Sequence, residues 1–178
     1  MQYFIGIVPP EEYLKKISKF RQKWKNHRID EVVEPHITLK AQGGLTPDEK
    51  WLEKVRGVCE NFAAFQISLD RPEFFGEDIL YLSVKSTELM EIHKNIVRAI
   101  SPSADLVKQY FELDDFVPHM TLGKAGYGLS KQELKDMARL AESKLAPYPT
   151  FDVNFVRVYR EIEGEYVKYL DISLREGF

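Results

Sequence analysis

The pattern Pro-His-x-Thr-Leu occurs twice in this chain, at residues 35–39 and 118–122. The chain has four histidines, so half of them lie in this pattern. The surroundings repeat as well, because each copy follows a strand and a helix and precedes a capped helix and a hairpin. This repeat predicts an α+β protein with two similar lobes, related by a rough two-fold, in which each lobe supplies one histidine strand.

Hydrophobic periodicity and turn residues predict the elements of this repeat. Thr46 with Glu49, and Ser130 with Glu133, have the spacing of capping boxes that begin helices. Residues 103–117 are expected to be irregular. Strands are predicted at 3–8, 36–40, 65–75, 79–85, 119–122, 151–162 and 165–174, and helices at 11–26, 46–61, 87–100 and from 130 onward. The 178 residues are predicted to form one bilobal domain, with the first repeat at about 1–78 and the second at about 79–178.

The spacing within the motif determines which side chains share a face. Residues i and i+2 of a strand point to the same side of a sheet. His36 and Thr38 are therefore expected to project together, and His119 and Thr121 to do the same. The apolar residues between them face the core. A two-fold relation between the lobes would bring two imidazoles and two hydroxyls into one cleft.

Such a cleft suits phosphodiester chemistry. One neutral histidine can take a proton from water or a ribose hydroxyl, while the other, protonated, gives a proton to the leaving oxygen. Threonine hydroxyls can donate hydrogen bonds to non-bridging phosphate oxygens. His36 and His119 are therefore predicted as catalytic residues with interchangeable roles. Thr38 and Thr121 are predicted to bind substrate. The mechanism requires no metal and no cofactor.

The two motifs resemble those of the 2H phosphoesterase superfamily, which is named for two His-x-Thr-hydrophobic motifs. The chain is similar to small bacterial members related to the 2′-5′ RNA ligase (LigT-like) branch. The resemblance implies a bilobal α+β fold in which antiparallel sheets, each with flanking helices, border a central groove. It also implies metal-independent action on 2′,3′-cyclic phosphates of RNA ends, on cyclic nucleotides or on 2′-5′ linkages, by hydrolysis or reversible ligation. The residues after each motif differ from those of the better-known branch, which leaves the substrate open.

Two lysines lie at equivalent places after the motifs. Lys40 and Lys124 stand four and five residues beyond their histidines and are predicted to neutralise phosphate charge. The alternative is that both are solvated lysines at strand ends. His27 and His93 have no Thr partner and are expected at the surface.

A second function remains open for the same cleft. It could belong to a non-catalytic module that binds an RNA end or a nucleotide phosphate. A pair of structural histidines at strand edges is the third interpretation. Turnover of a cyclic nucleotide in the presence of EDTA separates the first function from the other two.

Composition limits the remaining classes. The chain has 25 basic and 28 acidic residues and a net charge of −3, which argues against a broad basic surface that coats nucleic acid. No apolar run is as long as a membrane span, and the first ten residues read as a strand rather than a signal peptide. Cys59 is the single cysteine, so no disulfide framework or cysteine zinc site is expected. We expect a cytoplasmic protein with no membrane contact and no stable protein partner.

Overall fold

The computed structural model describes residues 1–177, which form eight strands and five α-helices. The strands are β1 (Tyr3–Ile7), β2 (Ile37–Lys40), β3 (Phe65–Phe75), β4 (Ile79–Lys85), β5 (His119–Lys124), β6 (Thr150–Val153), β7 (Phe155–Ile162) and β8 (Glu165–Ser173). The helices are α1 (Glu11–Arg21), α2 (Trp51–Glu60), α3 (Thr87–Ile100), α4 (Ala104–Gln109) and α5 (Lys131–Lys144).

The eight strands form one antiparallel sheet in the order β6-β3-β4-β5-β2-β1-β7-β8. The first four strands of this order and the last four are two similar halves, with a histidine strand, β5 or β2, at the inner edge of each. The predicted α+β class with two pseudo-symmetric lobes is confirmed. Each half combines strands from both predicted repeats, because β3 lies beside β4 and the β7–β8 hairpin lies beside β1.

The two histidine strands meet at the middle of the sheet. β2 and β5 pair at a single position, Ile37 opposite Met120. α1 follows β1 yet packs against β5, and α3 follows β4 yet packs against β2. Each helix therefore covers the histidine strand of the other half. The motif residues Ile37, Leu39, Met120 and Leu122 are fully buried beneath these helices.

The helix predicted from Thr46 begins at Trp51 instead. The Thr46 hydroxyl donates to the Asp48 carboxylate, and Glu49 has a left-handed backbone with φ of 57°. The capping-box prediction at this site was therefore wrong. The Trp51 ring is buried, and its indole N–H donates to the Thr46 carbonyl at 2.8 Å. Burial of this large side chain fixes the start of the helix more strongly than the cap pattern does.

Three further segments differ from the prediction. α1 ends at Arg21, and α4 forms within the stretch that was expected to be irregular. The strand predicted at 151–162 is split at Asn154 into β6 and β7, which join opposite halves of the sheet. The predicted capping box of Ser130 and Glu133 is present at the start of α5. Within residues 1–177, none of the helices is both long and apolar enough to cross a membrane.

Candidate active site

The motif strands bring the four motif side chains to one face of the sheet. The register of β2 and β5 places His36 across from Thr121. By the same register, Thr38 lies across from His119. Side chains directly opposite each other in an antiparallel pair have Cβ atoms about 4.5–5.5 Å apart, and diagonal neighbours lie about 7–8 Å apart. The two imidazoles and two hydroxyls therefore border one space, which we call the central groove.

The backbone fixes the tautomer of each motif histidine. Nδ1 of His36 lies 2.8 Å from the carbonyl oxygen of Glu34, and Nδ1 of His119 lies 2.8 Å from the carbonyl oxygen of Val117. A carbonyl can only accept, so Nδ1 is the donor in both rings. The proline between each pair restricts the preceding residue to extended backbone, which helps to set this contact. Nε2 is therefore the unprotonated nitrogen in both neutral rings.

His36 lies against an aromatic pair from β1 and β7. Phe4 and Tyr159 stack with ring centroids 4.6 Å apart, and the imidazole lies 4.9 Å from the first and 5.7 Å from the second. The Tyr159 hydroxyl donates to the Glu34 carboxylate at 2.7 Å. Nε2 of His36 lies 3.2 Å from the Thr38 hydroxyl, which donates to it. These contacts hold the ring in one orientation.

His119 has a matching environment in the other half. Phe75 and Tyr81 stack at 4.1 Å, and the imidazole meets them edge-on at 5.0 Å and 5.4 Å. The Tyr81 hydroxyl donates to Glu73 at 3.2 Å. Both histidines are therefore supported in the same way, by a stacked aromatic pair and a tyrosine bound to a glutamate. This equivalence agrees with the prediction that the two motifs are equivalent.

Arg157 and Glu34 lie beside the motif residues, although no sequence pattern predicts them there. The guanidinium of Arg157 donates to the Glu34 carboxylate at 2.7 Å and to Asp171 at 2.8 Å. These two carboxylates raise the pKa of Arg157, and Glu34 in turn orients the aromatic pair beside His36. An arginine in β7 and a glutamate before a proline have no pattern in the sequence that links them.

Both motif histidines favour the neutral form in the unliganded protein. Burial, with the nearby charges of Arg21 and His119, lowers the pKa of His36 to about 4. Burial, followed by the charge of Lys124, lowers the pKa of His119. A bound phosphodiester carries a negative charge, which favours imidazolium beside it. A bound phosphodiester would therefore raise the pKa of both rings from these lowered values.

Lys40 does not reach the central groove. Its side chain is fully buried, and its Nζ donates to Glu112 at 2.9 Å and to the carbonyl oxygens of Ala41 at 2.8 Å and Gly43 at 2.6 Å. All three protons of the ammonium are used, so the prediction that Lys40 binds phosphate is corrected to a structural role. The alternation of the strand placed it on the correct side, but the chain around 110–117 covers it.

Lys124 remains available for an anion. It is partly exposed at the end of β5, with Nζ 5.5 Å from the ring centroid of Tyr127. Within residues 1–177 no carboxylate lies within 4.0 Å of this ammonium. Its charge contributes to the lowered pKa of His119.

The other two histidines do not join the groove. The expectation that His93 lies at the surface was wrong, because it is fully buried in α3. Its Nδ1 donates to the Leu39 carbonyl at 2.7 Å, and its Nε2 accepts the backbone N–H of Leu113 at 3.0 Å. His27 is half-buried beyond the end of α1. Across residues 1–177, histidine, cysteine and acidic side chains form no cluster of three or more that could hold a metal ion.

A family model for the 2′-5′ RNA ligase superfamily matches residues 9–165, which is most of the chain. The chain belongs to the 2′-5′ RNA ligase superfamily. This membership confirms the resemblance to 2H phosphoesterases that the duplicated motif indicates. His36, Thr38, His119 and Thr121 all fall inside the matched range.

Individual proteins are also similar to this chain in sequence or in fold. The chain is 25% identical over 166 residues to an RNA 2′,3′-cyclic phosphodiesterase of Methanocaldococcus jannaschii, covering 90% of this chain and 91% of the relative. Its fold is similar to TT0787 of Thermus thermophilus, with a TM-score of 0.68, 16% identity and 100% of both chains covered. It is also similar to E. coli LigT complexed with 3′-AMP, with a TM-score of 0.63, 18% identity and 98% of both chains covered.

Proposed function

We propose that this protein is a 2H-type phosphoesterase that hydrolyses 2′,3′-cyclic phosphodiester bonds of RNA ends or cyclic nucleotides. The observation that carries the proposal is that His36 and His119 converge on one groove. In both rings Nδ1–H donates a hydrogen bond to a backbone carbonyl oxygen. This arrangement leaves Nε2 as the proton-transfer atom on each side. Membership in the 2′-5′ RNA ligase superfamily and the activity for which the M. jannaschii relative is named support the same substrate class.

The reaction follows from the two Nε2 atoms. One histidine accepts a proton from water as the water oxygen forms a bond to phosphorus. The other, as imidazolium, gives its proton to the ribose oxygen whose bond to phosphorus breaks. Thr38 and Thr121 donate to the non-bridging oxygens, and Lys124 offsets their charge. The product is a 2′- or 3′-monophosphate. In the same sequence with the 5′-hydroxyl of a second ribose in place of water, that oxygen bonds to phosphorus while the bond to the 3′ oxygen breaks, which forms a 2′-5′ linkage; the reverse of this step cleaves the linkage.

The contribution of each proton transfer to the rate can be estimated. A well-placed general acid or base contributes about 10²–10⁴ in rate. We therefore expect His36→Ala and His119→Ala each to lower kcat on a 2′,3′-cyclic mononucleotide by that factor. His27→Ala is the matched control because its ring lies outside the groove. EDTA is expected to leave the activity of the unmodified protein unchanged.

The measurement is product formation by chromatography, with binding of the same nucleotide followed by calorimetry. Hydrolysis that depends on both motif histidines supports the enzyme. Tight binding with no turnover across cyclic nucleotides and RNA ends would instead establish a non-catalytic module that binds RNA ends or nucleotide phosphates. If neither binding nor turnover is observed, only a structural role remains for the motifs.

A further inference from the structure

A second cavity opens directly beside the central groove. It has a volume of about 410 Å³, and both His119 and Thr38 lie on its wall. Ligand pockets in proteins span about 300–1,000 Å³. The remaining walls are mainly apolar and aromatic, and we call this cavity the side pocket. These walls include Phe75, Tyr110, Phe111, Glu112, Asp115 and Phe116.

One wall of the side pocket is fixed from behind. Phe116 stacks on His93 with ring centroids 3.7 Å apart and an interplanar angle of 11°. The buried carboxylate of Glu112 is bound to Lys40, and the backbone N–H of Leu113 is bound to His93. The segment 110–117 is thus anchored at three successive points. The pocket is preformed, which lowers the cost of binding a flat ring there.

Phe111, which lines the side pocket, is unusual in its exposure and in its backbone conformation. Phe111 is 70% exposed, and its backbone is left-handed, with φ of 53°. A non-glycine residue in this region is strained, and such strain persists where the surrounding structure enforces it. Here it holds a large apolar ring against the opening rather than in the core.

Two polar side chains of the side pocket are bound within the protein. Both carboxylate oxygens of Glu112 accept hydrogen bonds, and both ring nitrogens of His93 are used. The carboxylate of Asp115, by contrast, is exposed, and its oxygens take no hydrogen bond or ion pair from residues 1–177. An ionised carboxylate can only accept hydrogen bonds. The Asp115 carboxylate therefore favours a ligand that presents hydrogen-bond donors to it.

We propose that the side pocket binds the nucleobase of the nucleotide that carries the cyclic phosphate, and that Asp115 makes guanine the preferred base. The inference rests on the proposed function, because it places the base from the position of the phosphate at His119. Aromatic walls stack on any base. Guanine alone among the four offers two adjacent donors, N1–H and N2–H, that one carboxylate can accept together.

The other bases fit this acceptor less well. Adenine and cytosine each present one amino group next to a ring nitrogen acceptor. Uracil presents one N–H between two carbonyl oxygens, and these oxygens would repel the oxygens of the carboxylate. The order of kcat/KM on 2′,3′-cyclic mononucleotides is therefore expected to be guanosine first and uridine last. A charge-assisted hydrogen bond corresponds to a preference of about tenfold or more.

The first test compares 2′,3′-cyclic GMP with 2′,3′-cyclic UMP. In Asp115→Asn the ratio of their kcat/KM values is expected to fall to near one, because the amide offers a donor as well as an acceptor. Asp114→Asn is the control, since Asp114 is the exposed neighbour that does not line the pocket. Equal kcat/KM values in the unmodified protein, or an unchanged preference in Asp115→Asn, would overturn the assignment of Asp115.

The second test asks whether any base enters the pocket. Phe111→Ala is expected to raise KM for cyclic mononucleotides several-fold while leaving the turnover of base-free ribose 2′,3′-cyclic phosphate unchanged. Phe74→Ala is the control, because Phe74 is an exposed phenylalanine away from the pocket. Equal effects of Phe111→Ala on both substrates would refute the base site. No turnover of any cyclic phosphate would instead refute the proposed function itself.

Discussion

Removing one partner of the buried pair Lys40 and Glu112 is expected to destabilise the protein strongly. The two side chains are 0% and 1% exposed, and Nζ lies 2.9 Å from Oε1. Breaking a buried pair from one side leaves an uncompensated charge and costs about 3–5 kcal/mol. A typical domain unfolds with a free energy of only about 5–15 kcal/mol. The single variants Lys40→Met and Glu112→Leu should therefore lose a large part of their stability.

The assay is urea unfolding of the unmodified protein, both single variants and the double variant. With a slope of about 2 kcal/mol per molar urea, each single variant is expected to lower the midpoint by about 1.5–2.5 M. The double variant should be less destabilised than either single variant, because no unpaired charge remains. It does not return fully to the unmodified value, since the carbonyls of Ala41 and Gly43 lose their donor.

The pH dependence of Lys40→Met gives an independent check. Burial raises the pKa of Glu112, and Lys40 opposes that rise. Without the lysine the folded-state pKa lies further above the unfolded value. Stability linked to a raised pKa is present below the unfolded pKa and is lost as pH rises through the folded one. The loss in Lys40→Met should therefore be smaller at about pH 5 than at about pH 8.

Two results would refute this reasoning about the ion pair. One is a set of four urea midpoints that agree within about 0.3 M, because such agreement means that the pair contributes nothing. The other is a double variant that loses the sum of the two single losses, because additive losses mean that the two side chains do not interact.

Three further predictions follow from the geometry. The pH profile of kcat/KM should be bell-shaped with its maximum below about pH 6.5, because the pKa values of His36 and His119 are lowered. The maximum of kcat should lie at higher pH, because bound phosphate raises both histidine pKa values. A kcat/KM that stays constant at alkaline pH would contradict this prediction. Gly123→Ala should lower stability by about 1–3 kcal/mol in urea unfolding, because the new Cβ would lie 2.6 Å from a methionine sulfur, whereas Gly126→Ala, with open space, should not. Lys124→Ala should raise KM for cyclic nucleotides and weaken its dependence on salt.

The duplicated motif made the centre of the fold predictable. Alternation on a strand separates His36 from Ile37, and the same rule holds for His119 and Met120. This local rule is independent of the rest of the chain. Most of the strands, α3 and the Ser130 cap followed from patterns of the same short range, whereas the division of 151–162 into β6 and β7 did not.

The errors came from contacts that no local pattern encodes. Lys40 has the strand phase of a groove residue, but its ammonium meets Glu112, which is 72 residues away in sequence. His93 has no partner nearby in the chain, yet it binds the backbone of β2 and of the segment before β5. Thr46 begins a cap pattern that the burial of Trp51 overrides. Tertiary burial outweighs local propensity at each of these positions.

The crossed packing of the two helices explains how a weakly paired strand junction can hold the two motif histidines in place. β2 and β5 share a single register position, so their own hydrogen bonds do not hold the histidines in place. Arg21 of α1 donates to the Thr121 carbonyl at 3.2 Å, and His93 of α3 donates to the Leu39 carbonyl at 2.7 Å. Each helix thus ties the half it follows to the histidine strand of the other half. The distance between the two imidazoles is therefore set by both halves together, and neither half alone can form the groove.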